Sequence, residues 1–142
     1  MSGDKDKYSL CIFLHSGSYD RVYHAMSITN VVLATGGKVR IFFSYGALKR
    51  LVKGFTDKVV IEGEPAPFKD EIQKNLDRGT FDSISEMLVT AKRFGDIKLY
   101  ACTASMAVLN IARDELLDVV DSSMGLVAFM EMVKDSNHTL YI

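Results

Sequence analysis

Cysteine is scarce: the 142-residue chain has two, Cys11 and Cys102. That is too few for a disulfide-stapled secreted scaffold, and neither has a Cys or His neighbour at the spacing of a structural zinc site. No metal ligand set and no cofactor motif stands out, so neither group is expected. Proline is equally rare, and Pro65 and Pro67 sit together in one short stretch. Charge of one sign is missing too, since 17 basic residues meet 18 acidic ones for a formal net charge of -1. A nucleic-acid binder shows a basic excess or stripe, so nucleic acid is not an expected partner. No apolar run approaches the roughly 20 residues that span a bilayer, and the opening MSGDKDK lacks the apolar stretch of a signal peptide. What is present is 48% hydrophobic and 25% charged residues, the balance of a folded globular chain. The length suits one domain over residues 1–142, and the expected setting is the cytoplasm, with reduced thiols.

Hydrophobic period then orders the chain. Tyr8 to Leu14 is an apolar run too short for a helix and bounded by a turn-like His15-Ser16-Gly17-Ser18, which predicts a strand covered on both faces. From Asp20 to Thr35, Val22, Ala25, Met26, Thr29, Val32 and Leu33 recur at helical spacing, with Gly36-Gly37 as the stop. Lys38 to Phe43 reads as the second strand of a right-handed βαβ unit. Gly46 to Val52 predicts a short helix and Val59 to Ile61 a short strand. The charged, proline-bearing stretch EGEPAPFKDEIQKNLDRG, residues 62–79, reads as an insertion, either a lid or a solvated connection. Ser83 and Glu86 form a capping-box pattern ahead of Ile84, Met87, Leu88, Ala91 and Phe94, and Gly95 ends that helix. Ile97 to Ala101 predicts a strand, Ser105 to Ile111 and Arg113 to Leu117 short helices, and Val119-Val120 a further strand. Met124 to Val133 predicts an apolar helix and His138 to Ile142 a last strand. The alternation predicts a three-layer α/β/α sandwich with about five mostly parallel strands, with Leu10, Ile12, Phe13, Ile41, Phe42, Leu99 and Leu140 in its central strands.

In such a sheet, ligands bind beyond the carboxyl ends of the strands, where loops meet helix N-termini. Three loops qualify: His15-Ser16-Gly17, Ser44-Tyr45-Gly46 and Cys102-Thr103-Ala104-Ser105. Cys102 sits where a strand gives way to a helix. Free N–H groups and the positive end of the helix dipole favour a thiolate there, below the ordinary value of about 8.5. Position alone leaves it open between a nucleophile and a small buried hydrophobe. Cys11, amid Leu10, Ile12 and Phe13, reads as inert packing. His15 is either a base near neutral pH or a loop polar group, and Tyr45 either walls a pocket or packs. His24 and His138 have weaker claims. Cys102-x-x-Ser105 has the spacing of a monothiol redox motif, but it comes late in the chain, and both prolines precede it. HSGSYD fits neither glycine-rich phosphate motif.

At these residues the sequence resembles the DsrE/DsrF-like family, which includes TusD-type sulfur-relay subunits, and within it the branch often labelled peroxiredoxin-like. HSGSYDRVYHAM is similar to that branch's entry into the first helix, and GGKVRIFFSYGALKRL to its second-strand block, with Gly46 following Tyr45 directly. LYACTASMAVLNI resembles its strand–Cys–helix segment, and GLVAFMEMVKDSNHTLYI its closing helix and strand. The resemblance implies a cytoplasmic sulfur carrier or sulfurtransferase with Cys102 at the persulfide-bearing position. Its partners would be donor and acceptor proteins or low-molecular-weight persulfides, and its assembly a homo-oligomer, trimer or hexamer. Thr103 and Ala104 N–H groups would steady the sulfur, and Tyr45, Met106 and the 62–79 segment would cover it. The competing expectations are a non-catalytic binding or assembly module and a thiol oxidoreductase pairing Cys102 with Cys11. Phe129, Met130, Met132 and Val133 nearly encircle the late helix, which must bury more than one face, either inside the core or against another subunit, and self-association is the expectation.

Overall fold

The computed structural model describes residues 7–142; the rest of the opening MSGDKDK stretch lies outside the described residues. Strands β1 (Ser9–Leu14), β2 (Lys38–Phe43), β3 (Asp96–Cys102), β4 (Ser122–Met124) and β5 (His138–Tyr141) form one sheet in the order β4-β3-β2-β1-β5. Every pairing is parallel. The helices are α1 (Tyr19–Ala34), α2 (Tyr45–Lys49), α3 (Lys69–Arg78), α4 (Ile84–Phe94), α5 (Thr103–Leu109) and α6 (Leu126–Val133), with one 3-10 turn at Arg113–Glu115.

Strand alternation assigns the two faces. Leu10, Ile12, Leu14, Val39, Ile41, Phe43, Leu99 and Ala101 pack into one core with α1 and α4, supplied by Val22, Ala25, Met26, Ile84 and Leu88. Cys11, Phe42, Tyr100 and Cys102 face the other way, onto the buried Phe129 of α6. Phe42 and Phe129 stack at 5.0 Å, and Phe13 meets Phe129 edge-on at 5.0 Å. Helices thus lie on both faces, the three layers expected, but among the described residues α6 is the only helix contributing buried side chains to the second core. The helix is not internal: Leu126, Val127 and Met130 point outward.

Local chemistry explains the boundaries. The helix α1 ends where Gly36 adopts φ +84°, a left-handed angle that glycine takes without penalty. At α4 the Ser83 hydroxyl accepts from Glu86 N–H at 3.1 Å, and Glu86 Oε1 accepts from Ser83 N–H at 3.3 Å, completing the expected capping box. Asp57 adds to that cap, accepting from the N–H groups of Ile84 and Ser85. At the far edge Asp121 ties β4 to β3: its carboxylate accepts from Leu99 N–H at 2.7 Å and from Lys92 Nζ at 2.7 Å. Burial alone would raise its pKa, but those donors and Lys98 hold it below the ordinary carboxylate value.

Four expectations need correction. Val59–Ile61 is not a strand: it pairs with no strand of the sheet and follows the turn at residues 55–58, whose backbone carbonyls accept from Arg50, while Val59 and Ile61 are buried. The strand expected at Val119-Val120 lies at Ser122–Met124 instead, while Val120 packs into the main core. Residues 62–79 are not all connection: α3 occupies Lys69–Arg78 with no buried residue, Asp70 and Glu71 in its first turn and Arg78 in its last. Those charges complement the helix dipole, and Ile72 and Leu76 supply its half-buried stripe. Leu140 is not central, since β5 is an edge strand, and it is half-buried like Phe13.

Candidate functional site

The topology marks one end of the sheet. The helix α5 leaves β3 toward the main core, where Met106 packs, whereas α6 leaves the adjacent β4 toward the opposite face, where Phe129 packs. Connections that depart on opposite sides of neighbouring strands open a crevice at their carboxyl ends. Cys102 stands there, in register with Met124.

A cavity of about 570 Å³ occupies the crevice. His15 and Ser16 after β1, Ser44 and Tyr45 after β2, and Cys102 and Ala104 after β3 all line it, so the three loops do converge. Sequence reasoning missed the rest of the lining. Phe13 and Phe42 rise from the sheet, Arg21 comes from α1, Leu126 from α6, and Tyr141 and Ile142 from the end of β5. The signal for Phe13 and Phe42 was strand alternation, which places both on the face of Cys102. Nothing local marks Arg21 or Tyr141, because only the sheet order brings β5 beside β1.

Cys102 is the N-cap residue of α5, with extended backbone. Its Sγ accepts a hydrogen bond from Ser105 N–H at 3.4 Å. The donor is Ser105, three residues on, rather than Thr103 or Ala104; an N-cap side chain accepts from the N–H two or three residues on, and here the third is the one used. Only 7% of Cys102 is exposed, against 2% of Cys11. Access to the sulfur therefore comes from the cavity and not from an open loop.

The walls are held by a short chain of bonds. Tyr45 adopts φ +46°, a left-handed conformation costly for a side chain of its size. Its N–H donates to the buried Ser105 Oγ at 3.1 Å, so Ser105 contacts both the strained loop and the sulfur. His15 and Tyr45 rings lie 5.3 Å apart, and Ala47 N–H donates to His15 O at 3.1 Å. Gly17 and Gly46 do not line the cavity; they let the two loops touch, since a Cβ on Gly17 would fall 2.4 Å from Gly46 O. Thr103 is exposed outside the cavity. Met106 faces the main core, and no residue of 62–79 lines the cavity, so neither covers the sulfur.

Replacing Ser105 with Ala is expected to lower stability by about 1–2 kcal/mol, by leaving Tyr45 N–H unpaired beside a buried site. The N–H donated to Cys102 is untouched by this change. Urea denaturation measures the effect, and a variant as stable as wild type would show that Tyr45 holds its conformation without Ser105.

Cys11 lies too far away to pair with Cys102. Strand register places it two strands over and four residues down, since Cys11 aligns with Arg40 and Arg40 with Lys98. At about 4.8 Å per strand and about 3.3 Å per residue the Cα atoms are roughly 16 Å apart. A disulfide needs about 7 Å or less. The thiol oxidoreductase expectation loses its second thiol. His24 is exposed on α1, and His138 sits at the start of β5 against Tyr8, so neither reaches the cavity. Among the described residues no group of three or more His, Cys, Asp or Glu side chains is arranged to hold a metal ion.

Together these features define a class: a parallel α/β/α protein with one thiol at the point where its connections switch faces. The chain belongs to the DsrE/DsrF/DrsH-like family, whose model matches residues 66–141, over half its length. The Cys102 segment and the closing helix and strand lie inside that match, while the two N-terminal blocks lie outside it. An uncharacterized protein of Bacillus subtilis (strain 168), YrkE, is 27% identical over 92% of this chain and 94% of its own length. Among solved structures, the protein of unknown function MTH1491 from Methanobacterium thermoautotrophicum superposes with a TM-score of 0.59 at 9% identity. The match covers 94% of this chain and 99% of that one, and it bears on the fold alone. Among the described residues, no helix is long and apolar enough to cross a membrane.

Proposed function

We propose that the protein is a cytoplasmic sulfur carrier that accepts and passes on persulfide sulfur through Cys102. One observation carries the reading: the cavity where three strand-end loops meet has Cys102 in its lining, with its Sγ accepting the N–H of Ser105. The Cys102 thiolate attacks the outer sulfur of a donor R–S–SH. The donor S–S bond breaks, its electron pair leaves on RS⁻, and Cys102–S–SH remains. An acceptor thiolate then attacks that outer sulfur and restores the Cys102 thiolate. No outside oxidant is needed, because the sulfur moves at its own oxidation level. The cavity walls shelter the persulfide from water and oxidants, and Ser105 N–H steadies the sulfur that alternates between thiolate and leaving group. The outward apolar residues of α6, Leu126, Val127 and Met130, support assembly as a homo-oligomer, a trimer or hexamer on family likeness.

Incubation with a low-molecular-weight persulfide is expected to add one sulfur atom to the intact mass of wild type and none to Cys102→Ser. The added atom should leave on treatment with excess thiol. Equal masses for the two proteins would end the carrier reading and leave a binding module that uses the cavity without the thiol.

A further inference from the structure

We infer that the Cys102 cavity selects a small, singly anionic sulfur donor with an aromatic or bulky apolar body, in preference to a persulfide borne on another protein. The inference deepens the sulfur-carrier reading and rests on it. Size is the first argument, since about 570 Å³ falls within the range of pockets that enclose a small organic molecule. Inorganic donors such as thiosulfate would leave most of that space, and its apolar walls, wet.

The walls are the second. Phe13, Phe42, Tyr45, Leu126 and Tyr141 supply apolar surface around the sulfur. Phe13 and Tyr141 stack face to face at 4.6 Å and 7°, which makes a flat aromatic slab beside the crevice. A planar donor gains area on such a slab without ordering any protein segment.

Charge is the third argument. No acidic residue lines the cavity, and Arg21 does. Among the described residues no carboxylate lies within 4.0 Å of Arg21, and it is the only Lys or Arg that lines this cavity. A guanidinium with no carboxylate partner among the described residues, beside a crevice walled mainly by aromatic and aliphatic side chains with His15, Ser16 and Ser44 at its rim loops, favours one anionic group on the ligand. Finally, Cys102 as a residue is only 7% exposed and borders the cavity, so a donor has to enter the cavity to reach it, which a slender molecule does more readily than a folded surface.

Two thiosulfonates test this, because they share charge and reacting atom and differ in body. The Cys102 thiolate attacks the terminal sulfur of R–SO2–S⁻, the S–S bond breaks, and R–SO2⁻ leaves with the electron pair. Cys102–S–S⁻ remains, so charge and atoms balance. Intact-mass kinetics with sodium benzenethiosulfonate and sodium methanethiosulfonate are expected to show saturation and a preference for the benzene donor on the order of tenfold. Tyr141→Ser is expected to remove most of that preference. Arg21→Gln is expected to raise the half-saturation concentration of the benzene donor about tenfold, with Arg21→Lys recovering part of it. Calorimetry of Cys102→Ser with benzenesulfinate and methanesulfinate reads the same preference without reaction.

Equal rates for the two donors, with Cys102 still gaining sulfur, would overturn the inference and spare the carrier reading. So would two inert small donors beside a protein-borne persulfide that loads Cys102. Binding of benzenesulfinate with no sulfur gained from any donor would remove the carrier reading, and this inference with it.

Discussion

Iodoacetamide is expected to alkylate Cys102 of the folded protein at least about a hundredfold faster than Cys11 at neutral pH. The contrast does not come from exposure, since both thiols are buried. It comes from what lies beside each sulfur. Cys102 borders a cavity of about 570 Å³ that a small reagent can enter. Cys11 is packed in the second core under α6 and does not line that cavity. Burial also pushes the Cys11 thiol above its ordinary pKa, an effect that hydrogen bonding from Ser136 and the charges of Arg40 and Lys38 only partly offset. Its labelling therefore requires both an opening of the structure and alkaline pH. Peptide mass analysis of the alkylated protein across pH 6–10, a window flanking the ~8.5 of an ordinary thiol, separates the two sites. Urea supplies the control, because unfolding is expected to bring the two rates within about threefold. Comparable rates in the native state would mean that the cavity does not open onto the sulfur, and the carrier mechanism would lose its nucleophile.

How much of this was legible in the sequence depends on the range of the interaction. The βαβ opening was legible because period-two and period-3.6 patterns are local, and so was the Ser83–Glu86 capping box. Cys102 at a strand-to-helix junction was legible for the same reason. The helix α3 was hidden because its burial is slight, so charge dominated the pattern while the Ile72–Leu76 spacing carried little weight. The displacement of β4 has a similar origin: Val119-Val120 has strand-forming side chains, but the sheet uses Ser122–Met124, where Tyr100 and Cys102 of β3 are in register. Two residues of the cavity lining were out of reach for a topological reason. The strand β5 returns to the far side of β1, and only that return brings Tyr141 and Ile142 to the crevice. No local signal distinguishes Arg50 from the neighbouring Lys49, although one is buried and the other is not.

Replacement of Arg50 by Met is expected to destabilise the protein by roughly 3–5 kcal/mol, and to loosen the cavity as it does so. Arg50 is 1% exposed, and among the described residues it has no carboxylate within 4.0 Å. Its charge is spread over carbonyls instead. Nε donates to Gly17 O at 2.9 Å, and Nη1 donates to Thr56 O at 3.2 Å, to Phe55 O at 3.3 Å and to Lys58 O. The guanidinium also lies 5.2 Å from the Tyr19 ring centre, whose hydroxyl donates to Asp57. One side chain thus joins the loop after β1 to the turn at residues 55–58, behind the wall that His15 and Ser16 form. Two effects oppose each other on substitution. Burial disfavours the guanidinium and lowers its pKa, so a neutral Met escapes that cost. Against this, several carbonyls lose their donor at once, each bond to a charged group being worth about 1.5–3 kcal/mol. The second effect is larger because Met offers nothing in return. Arg50→Lys is expected to recover less than half of the loss, since one ammonium lacks the planar fork that spans Gly17 and the turn. Urea denaturation measures both variants, and the rate of Cys102 alkylation below the unfolding transition reports the loosening of the loop. An Arg50→Met protein within about 0.5 kcal/mol of wild type, the range of neutral surface changes, would show that the carbonyls find other donors and that the loop after β1 is held without Arg50, by the Gly17–Gly46 contact and the backbone bonds of His15 and Ser16.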